Sequence, residues 1–156
     1  MEFIGKFELG ERVDITDPCY DFGTFGTLRV NCQPGTYYGY AEVKDFGEDG
    51  KRTTFICITK DDSDIDFFNM ESIGVIGVDA GLAGFFNNKP DYDDDAWMKF
   101  LKRTGVFKED GEYDYDRTYY KAKYGVFSES GFGDGCYEVY ANKERNAFEI
   151  AFIEEE

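Results

Sequence analysis

The chain contains no histidine. That absence removes Ser-His and Cys-His nucleophile pairs, the HExxH zinc site, and any side chain whose unperturbed pKa lies near neutrality. Basic residues are scarce as well: 17 Lys and Arg stand against 33 Asp and Glu, a net charge of −16. Each phosphate contact needs a Lys or Arg to displace counterions, so the balance opposes direct nucleic-acid binding and anionic membranes. It favours a basic protein partner, or solubility alone. No apolar run reaches the ~18 residues of a membrane span, and the amino end, MEFIGKFELGERVD, lacks both a basic n-region and an apolar h-region. A soluble cytoplasmic protein is expected. The four cysteines, Cys19, Cys32, Cys57 and Cys136, form no CxxC pair and no short secreted framework, so reduced core thiols are expected.

What is present is a core. Of the 156 residues 42% are apolar, including 16 Phe and 12 Tyr, which rules out disorder despite the charge and fits one domain, 1–156. Residues 42–71 and 91–116 each hold nine acids against four bases, whereas 72–90 holds only Asp79 and Lys89. The nearly uncharged stretch is expected to lie deepest.

Alternating apolar positions predict strands over 2–9, 12–16, 27–32, 36–46 and 51–60, the last two joined by Glu48-Asp49-Gly50. Pro18 ends the second strand and leaves Asp17 at its tip. The run 73–86, IGVIGVDAGLAGFF, reads as one or two buried strands with a bend near Asp79-Ala80-Gly81. One helix is expected over about 92–104, with acids at its start, Lys99, Lys102 and Arg103 near its end, Gly105 closing it and Trp97 inward. Residues 108–118, KEDGEYDYDRT, read as an acidic tyrosine-bearing loop of low order. Two apolar runs, 124–127 and 136–140, flank a loop with glycine at 131, 133 and 135, and a hairpin around 142–146 leads to an inward-facing Phe148, Ile150 and Phe152 and an acidic tail, 154–156. The sum is a mainly β (α+β) fold, an antiparallel sandwich or partly open barrel of about eight to ten strands with one helix packed on it.

Known site patterns fail. Asp91-Tyr-Asp93-Asp-Asp95 lacks the glycine and terminal glutamate of a calcium loop, as does Asp62-x-Asp64-x-Asp66, and Gly131-Phe-Gly133-Asp-Gly135 precedes a strand rather than a helix, which excludes a dinucleotide fingerprint. What survives is three acids in backbone-special settings, Asp17, Asp79 and Asp134. They either converge with Tyr20, Gly81, Ser130 and Tyr137 on a polar ligand or a divalent cation, or each bonds the amides of its own loop. A second candidate surface is Asp110, Glu112, Tyr113, Asp114, Tyr115 and Asp116, where aromatics interleaved with acids suit a basic partner; Tyr113, Tyr115, Tyr119 and Tyr120 are expected to be exposed there.

The segments ITDPCY at 15–20, GVDAGLAGF at 77–85 and SGFGDGCYEVY at 130–140 resemble, in this order, a family of small bacterial and phage proteins known as domain of unknown function 4241. The resemblance implies a compact β-rich domain and groups Asp17, Asp79 and Asp134; it implies no activity, and residues 87–120 follow none of its pattern. Three functions are therefore expected in order: a non-enzymatic binding or inhibitory protein, phage-encoded or immunity-type, engaging a basic partner; a binder of a small nucleotide-like ligand near the three acids; and a divalent-metal hydrolase using those acids. No catalytic residue and no cofactor is assigned.

Overall fold

The computed structural model describes residues 1–21 and 23–154, so 155 and 156 of the expected acidic tail lie outside the described residues. The amino-terminal alternation produces β1 (Glu2–Leu9) and β2 (Arg12–Thr16), which bury Phe7, Leu9, Val13 and Ile15. There follow β3 (Leu28–Asn31), β4 (Gly35–Asp45) and β5 (Lys51–Lys60). The glycine-rich run splits into β6 (Glu71–Val78) and β7 (Leu82–Phe86) about the expected bend. The helix α1 (Asp94–Thr104) precedes β8 (Tyr119–Ala122), β9 (Gly125–Glu129), β10 (Gly135–Ala141) and β11 (Ala147–Ala151).

Every pairing is antiparallel. One sheet has the order β1-β4-β5-β11-β10-β6 and the second β3-β2-β7-β9-β8, which makes the fold a sandwich rather than a barrel. Between the sheets lies the main core, with Tyr37, Ile56, Ile58, Phe148 and Ile150 from one side and Val13, Ile15, Phe85 and Val126 from the other. Gly39 is part of that fit: a Cβ there would lie 2.7 Å from a methyl of Val126.

Strand β7 reads LAGFF and is buried at all five positions because it is covered twice. Ala83 and Phe85 point into the main core, while Leu82 and Phe86 point into a second one closed by α1. Antiparallel strands with one wet face would alternate; a run apolar on both faces needs a layer on each side. The helix supplies that layer. Asp93 caps it by accepting from the amide of Ala96 at 2.8 Å, and Gly105 ends it in the left-handed region at φ 86°. It starts two residues later than expected, leaving Tyr92 outside. Phe100 stacks between Trp97 at 5.6 Å and Phe127 at 5.3 Å, with Trp97 half-buried at the margin.

Three expectations are corrected. The described residues hold eleven strands, the unforeseen one being β8, whose Tyr119 and Tyr120 follow the acidic segment without a break in composition. Tyr120 is wholly buried in the second core, Tyr113 and Tyr119 are half-buried, and only Tyr115 is open, at 85% exposure. Cys136 is exposed rather than a core thiol, while Cys32 and Cys57 are buried and all four cysteines are free.

Candidate functional site: the acidic end of the sandwich

Where the chain passes from β6 to β7 and from β9 to β10 it crosses between sheets, and both crossings fall at the same end as the 17–27 connection. Asp17 explains the convergence. It is wholly buried; one carboxylate oxygen accepts from the amide of Cys19 at 2.9 Å, the other from the amides of Asp79 at 2.8 Å and Ala80 at 2.6 Å. Pro18 forces the extended geometry that aims the side chain at the turn. Burial raises the Asp17 pKa, and the three amide donors oppose the shift. Its neighbour Cys19 is pushed up to about 12 by burial and by the Asp17 charge, which makes it an unreactive thiol.

The 130–134 loop is tied to the same turn. Ser130 donates its amide to Gly81 O at 3.0 Å and its hydroxyl to Gly133 O at 2.7 Å. The Tyr137 hydroxyl reaches back from β10 to donate to the carbonyls of Ser130 at 3.0 Å and Gly133 at 2.5 Å. Gly81 sits at φ 70°, where a side chain would be strained, and a Cβ built on it would lie 3.9 Å from Asp134 Oδ1. The expected grouping of Asp17, Asp79 and Asp134 is thus a real neighbourhood with divided roles. Asp17, Ser130 and Tyr137 hold loops together, whereas Asp79 and Asp134 face solvent. Among the described residues no group of three or more His, Cys, Asp or Glu side chains is placed to hold a metal ion.

The 108–118 segment arrives at this end as well, and it is ordered by turns rather than loose. Lys108 N donates to Glu112 O at 2.7 Å, Asp114 N donates to Val106 O at 3.0 Å, and the side chains of Asp110 and Asp114 each accept from an amide two residues on. Thr118 O accepts from Glu129 N at 2.8 Å and from the Thr53 hydroxyl at 3.3 Å. Glu129 links the layers: its Oε1 accepts from Thr53 N at 3.0 Å and its Oε2 meets Arg52 Nη1 at 3.5 Å. Burial raises the Glu129 pKa, with Thr53 and Arg52 acting against it. The same Arg52 nitrogen donates to Gly131 O at 3.4 Å, and its guanidinium covers the Phe132 ring at 5.5 Å. Asp116 and Arg117 then line one groove with Asp45 and Lys51.

The two candidate surfaces therefore meet around Arg52 and Glu129. Asp45, Glu48, Asp49, Asp79, Asp134 and Asp116 are exposed there, together with the rings of Tyr115 and Phe132, the latter 57% exposed. Nothing in KRTTF or GVFSE distinguishes a residue that bridges sheets from a solvated charge, so the sequence does not mark Arg52 or Glu129.

The open cleft beside Tyr20, about 210 Å3, is floored by different residues from those expected. Asp14 and Arg29 pair directly across β2 and β3, at 2.5 and 3.1 Å, and Lys89 lies over them with its amide on Asp14 at 3.1 Å. Lys89 is buried as a residue; its ammonium, in a part-buried setting, donates to Pro90 O at 2.7 Å and faces the Tyr92 ring at 5.0 Å. Burial lowers its pKa, opposed by the charges of Asp91, Asp21 and Asp14. The available signal for it was its standing as the lone cation of 72–90. No helix of the described residues is long and apolar enough to cross a membrane. Comparison of the chain with family models, with curated proteins and with solved structures returned no match.

Proposed function

We propose that the protein is a non-enzymatic binding module that engages a basic protein partner through the acidic end of its sandwich. The observation that carries this reading is the meeting of two acidic stretches distant in sequence, 45–49 and 110–116, beside the half-buried Arg52, with Lys44, Lys51 and Arg117 in the groove between them and Tyr115 and Phe132 open nearby. Carboxylates draw a basic partner in, and exposed rings supply the area that a lasting contact buries. Asp17 contributes by fixing the loop that presents Asp79, and Arg52 by fixing the one that presents Phe132. The test is association with basic proteins at ~0.1 M and ~1 M salt, between which the screening length shortens from ~10 to ~3 Å. The expected result is binding that salt weakens and that Tyr115→Ala with Phe132→Ala abolishes. Binding that is indifferent to both salt and the two rings would overturn the reading.

A second reading, a small polar ligand in the Asp14–Arg29–Lys89 cleft, is favoured by one observation: the buried residue Lys89 lines a concave site together with the Asp14–Arg29 pair. A ligand at about a hundred times its Kd adds ~2.7 kcal/mol of stability, so flat melting across a broad metabolite panel counts against it.

A further inference from the structure

The outer face of the first sheet carries an organised row of side chains. Tyr37, Ile56 and Phe148 enter the core, so their chain neighbours point outward. Phe3 stands opposite Tyr40, Tyr40 opposite Cys57, Cys57 opposite Glu149 and Glu149 opposite Tyr140, one line across five strands. The Phe3 ring is 52% exposed and lies 5.5 Å from that of Tyr40. Two residues from Cys57 on the same face, Phe55 meets Phe67 edge-on at 5.5 Å, and Phe67 and Phe68 are exposed beyond it. Exposed apolar side chains gathered on one face mark a contact surface.

The charges on this face say what it contacts. Glu149 is half-buried, and none of the ion pairs among the described residues includes it. Glu42 approaches from β4, paired with Lys44 at 3.4 Å, and Glu154 approaches from beyond β11, accepting from the Tyr140 hydroxyl at 3.3 Å. Tyr40 donates to Asp62, and the α-ammonium of Met1 acts on Cys57. Burial, then Glu154 and Glu42, push the Glu149 carboxyl up to about 7. A carboxylate in this position lacks a cation that can lie flat on a tyrosine and donate two parallel hydrogen bonds. Guanidinium has that shape, is weakly hydrated, and stacks on aromatic faces. A nucleic acid would be repelled here, and a neutral ligand would leave the carboxylates uncompensated.

We propose that the outer face of the first sheet docks an arginine-bearing segment of the basic partner, its guanidinium seated on Glu149 and against Tyr140. This rests on the partner reading above, and it places a second contact away from the acidic end.

The experiment is fluorescence anisotropy of labelled oligo-arginine and oligo-lysine peptides of equal length, with the intact protein and with Glu149→Gln, Tyr140→Ala, and Tyr115→Ala with Phe132→Ala. The expected result is preference for oligo-arginine and a loss of about tenfold in Glu149→Gln and in Tyr140→Ala. Affinity for oligo-arginine should also rise as pH goes from about 6 to about 8, a rise that Glu149→Gln removes. Glu149→Gln is a conservative change that relieves repulsion, so weakened binding in it cannot be laid to unfolding. If those two variants bind as the wild type does while Tyr115→Ala with Phe132→Ala does not, the sheet-face proposal fails and the partner reading stands. If neither peptide binds at low salt, both fail. If Tyr140→Ala instead abolishes self-association seen in sedimentation, the face joins copies of this chain and the proposal is overturned.

Discussion

Asp17→Ala should destabilise the protein by about 3–6 kcal/mol, and the figure follows from what the side chain touches. Three backbone amides lose their acceptor at once: Cys19 N, Asp79 N and Ala80 N, now at 2.6–2.9 Å from the carboxylate. Leaving a buried donor unsatisfied costs about 1–3 kcal/mol, and the desolvation of the carboxylate, which the native state already bears, is refunded in part. Asp17→Asn separates charge from geometry. An asparagine that keeps its oxygen toward Asp79 and Ala80 must turn its NH2 toward the amide of Cys19, losing one bond of three, so its cost should be about 1–3 kcal/mol.

Trp97 is the only tryptophan, and it packs on Phe100 in the helix layer, so its fluorescence in a guanidinium titration reports global unfolding. At this size each kcal/mol moves Tm by about 2–4 °C, so Asp17→Ala should lower it by at least about 6 °C. Two results would refute the clamp. One is an Asp17→Ala midpoint within about 1 kcal/mol of the wild type. The other is Asp17→Asn costing as much as Asp17→Ala while added calcium or magnesium stabilises the wild type and neither variant, which would mean that the charge was needed for a cation rather than for the amides.

Glu149→Gln should stabilise the protein in the opposite way. With its carboxyl at about 7 against an ordinary 4.5, the native state holds a proton that the unfolded chain releases between these values, so stability falls as pH rises through that window and stays lowered above it. Removing the group should add about 1–2 kcal/mol at pH ~8 after allowance for its solvent-exposed part, and little at pH ~4; a gain equal at both pH values would contradict the assignment. Phe100→Ala should cost about 3–5 kcal/mol, because a fully buried ring between Trp97 and Phe127 is lost; a cost below about 1 kcal/mol in denaturant melts would mean that the helix layer is dispensable. Among the free thiols, Cys136 should react quickly with a disulfide reagent in native buffer while Cys32 and Cys57 wait for unfolding, and fast reaction of either of these two would contradict their burial.

The strands were legible because their alternation reflects a sandwich, in which the strands of the first sheet bury one face each, apart from β5, which is buried on both between Ile56 and Thr59. The bend at 79–81 was legible from its glycine. Tyr119 and Tyr120 misled for a physical reason: four tyrosines spaced among acids look alike in sequence, and only pairing with β9 separates Tyr120, which faces the helix layer, from Tyr115, which faces water. The proximity of Asp17, Asp79 and Asp134 was legible as a neighbourhood but not as a division of labour. An aspartate that clamps amides and one that meets solvent share the same short glycine- and proline-bounded context. Arg52, Glu129 and Glu149 were not legible at all, since each owes its role to partners more than 70 residues away, or to strands across the sheet.

That division of labour also bears on what the acidic end can do. A cation site would need carboxylates free to converge, yet the most central of the three acids is spent on amides and the other two open outward. An acidic docking surface has the reverse requirement: its loops must be rigid while their charges stay in water. Asp17 beneath the 79–81 turn, Tyr137 beneath the 130–134 loop, and the Arg52–Glu129 contact beside that loop meet it, each using a part-buried polar bond to hold up an exposed acid or ring. Preorganised loops lower the ordering cost of association, so the same bonds that stabilise the fold would raise affinity for a partner that reads their shape. A variant that loosens a loop without touching its charge should therefore weaken binding more than it weakens folding. Tyr137→Phe is that variant: it deletes the two hydrogen bonds to Ser130 and Gly133 and keeps the ring against Phe152. A loss of about 1–2 kcal/mol in stability with unchanged affinity for the basic partner would show that the loop's rigidity serves the fold alone.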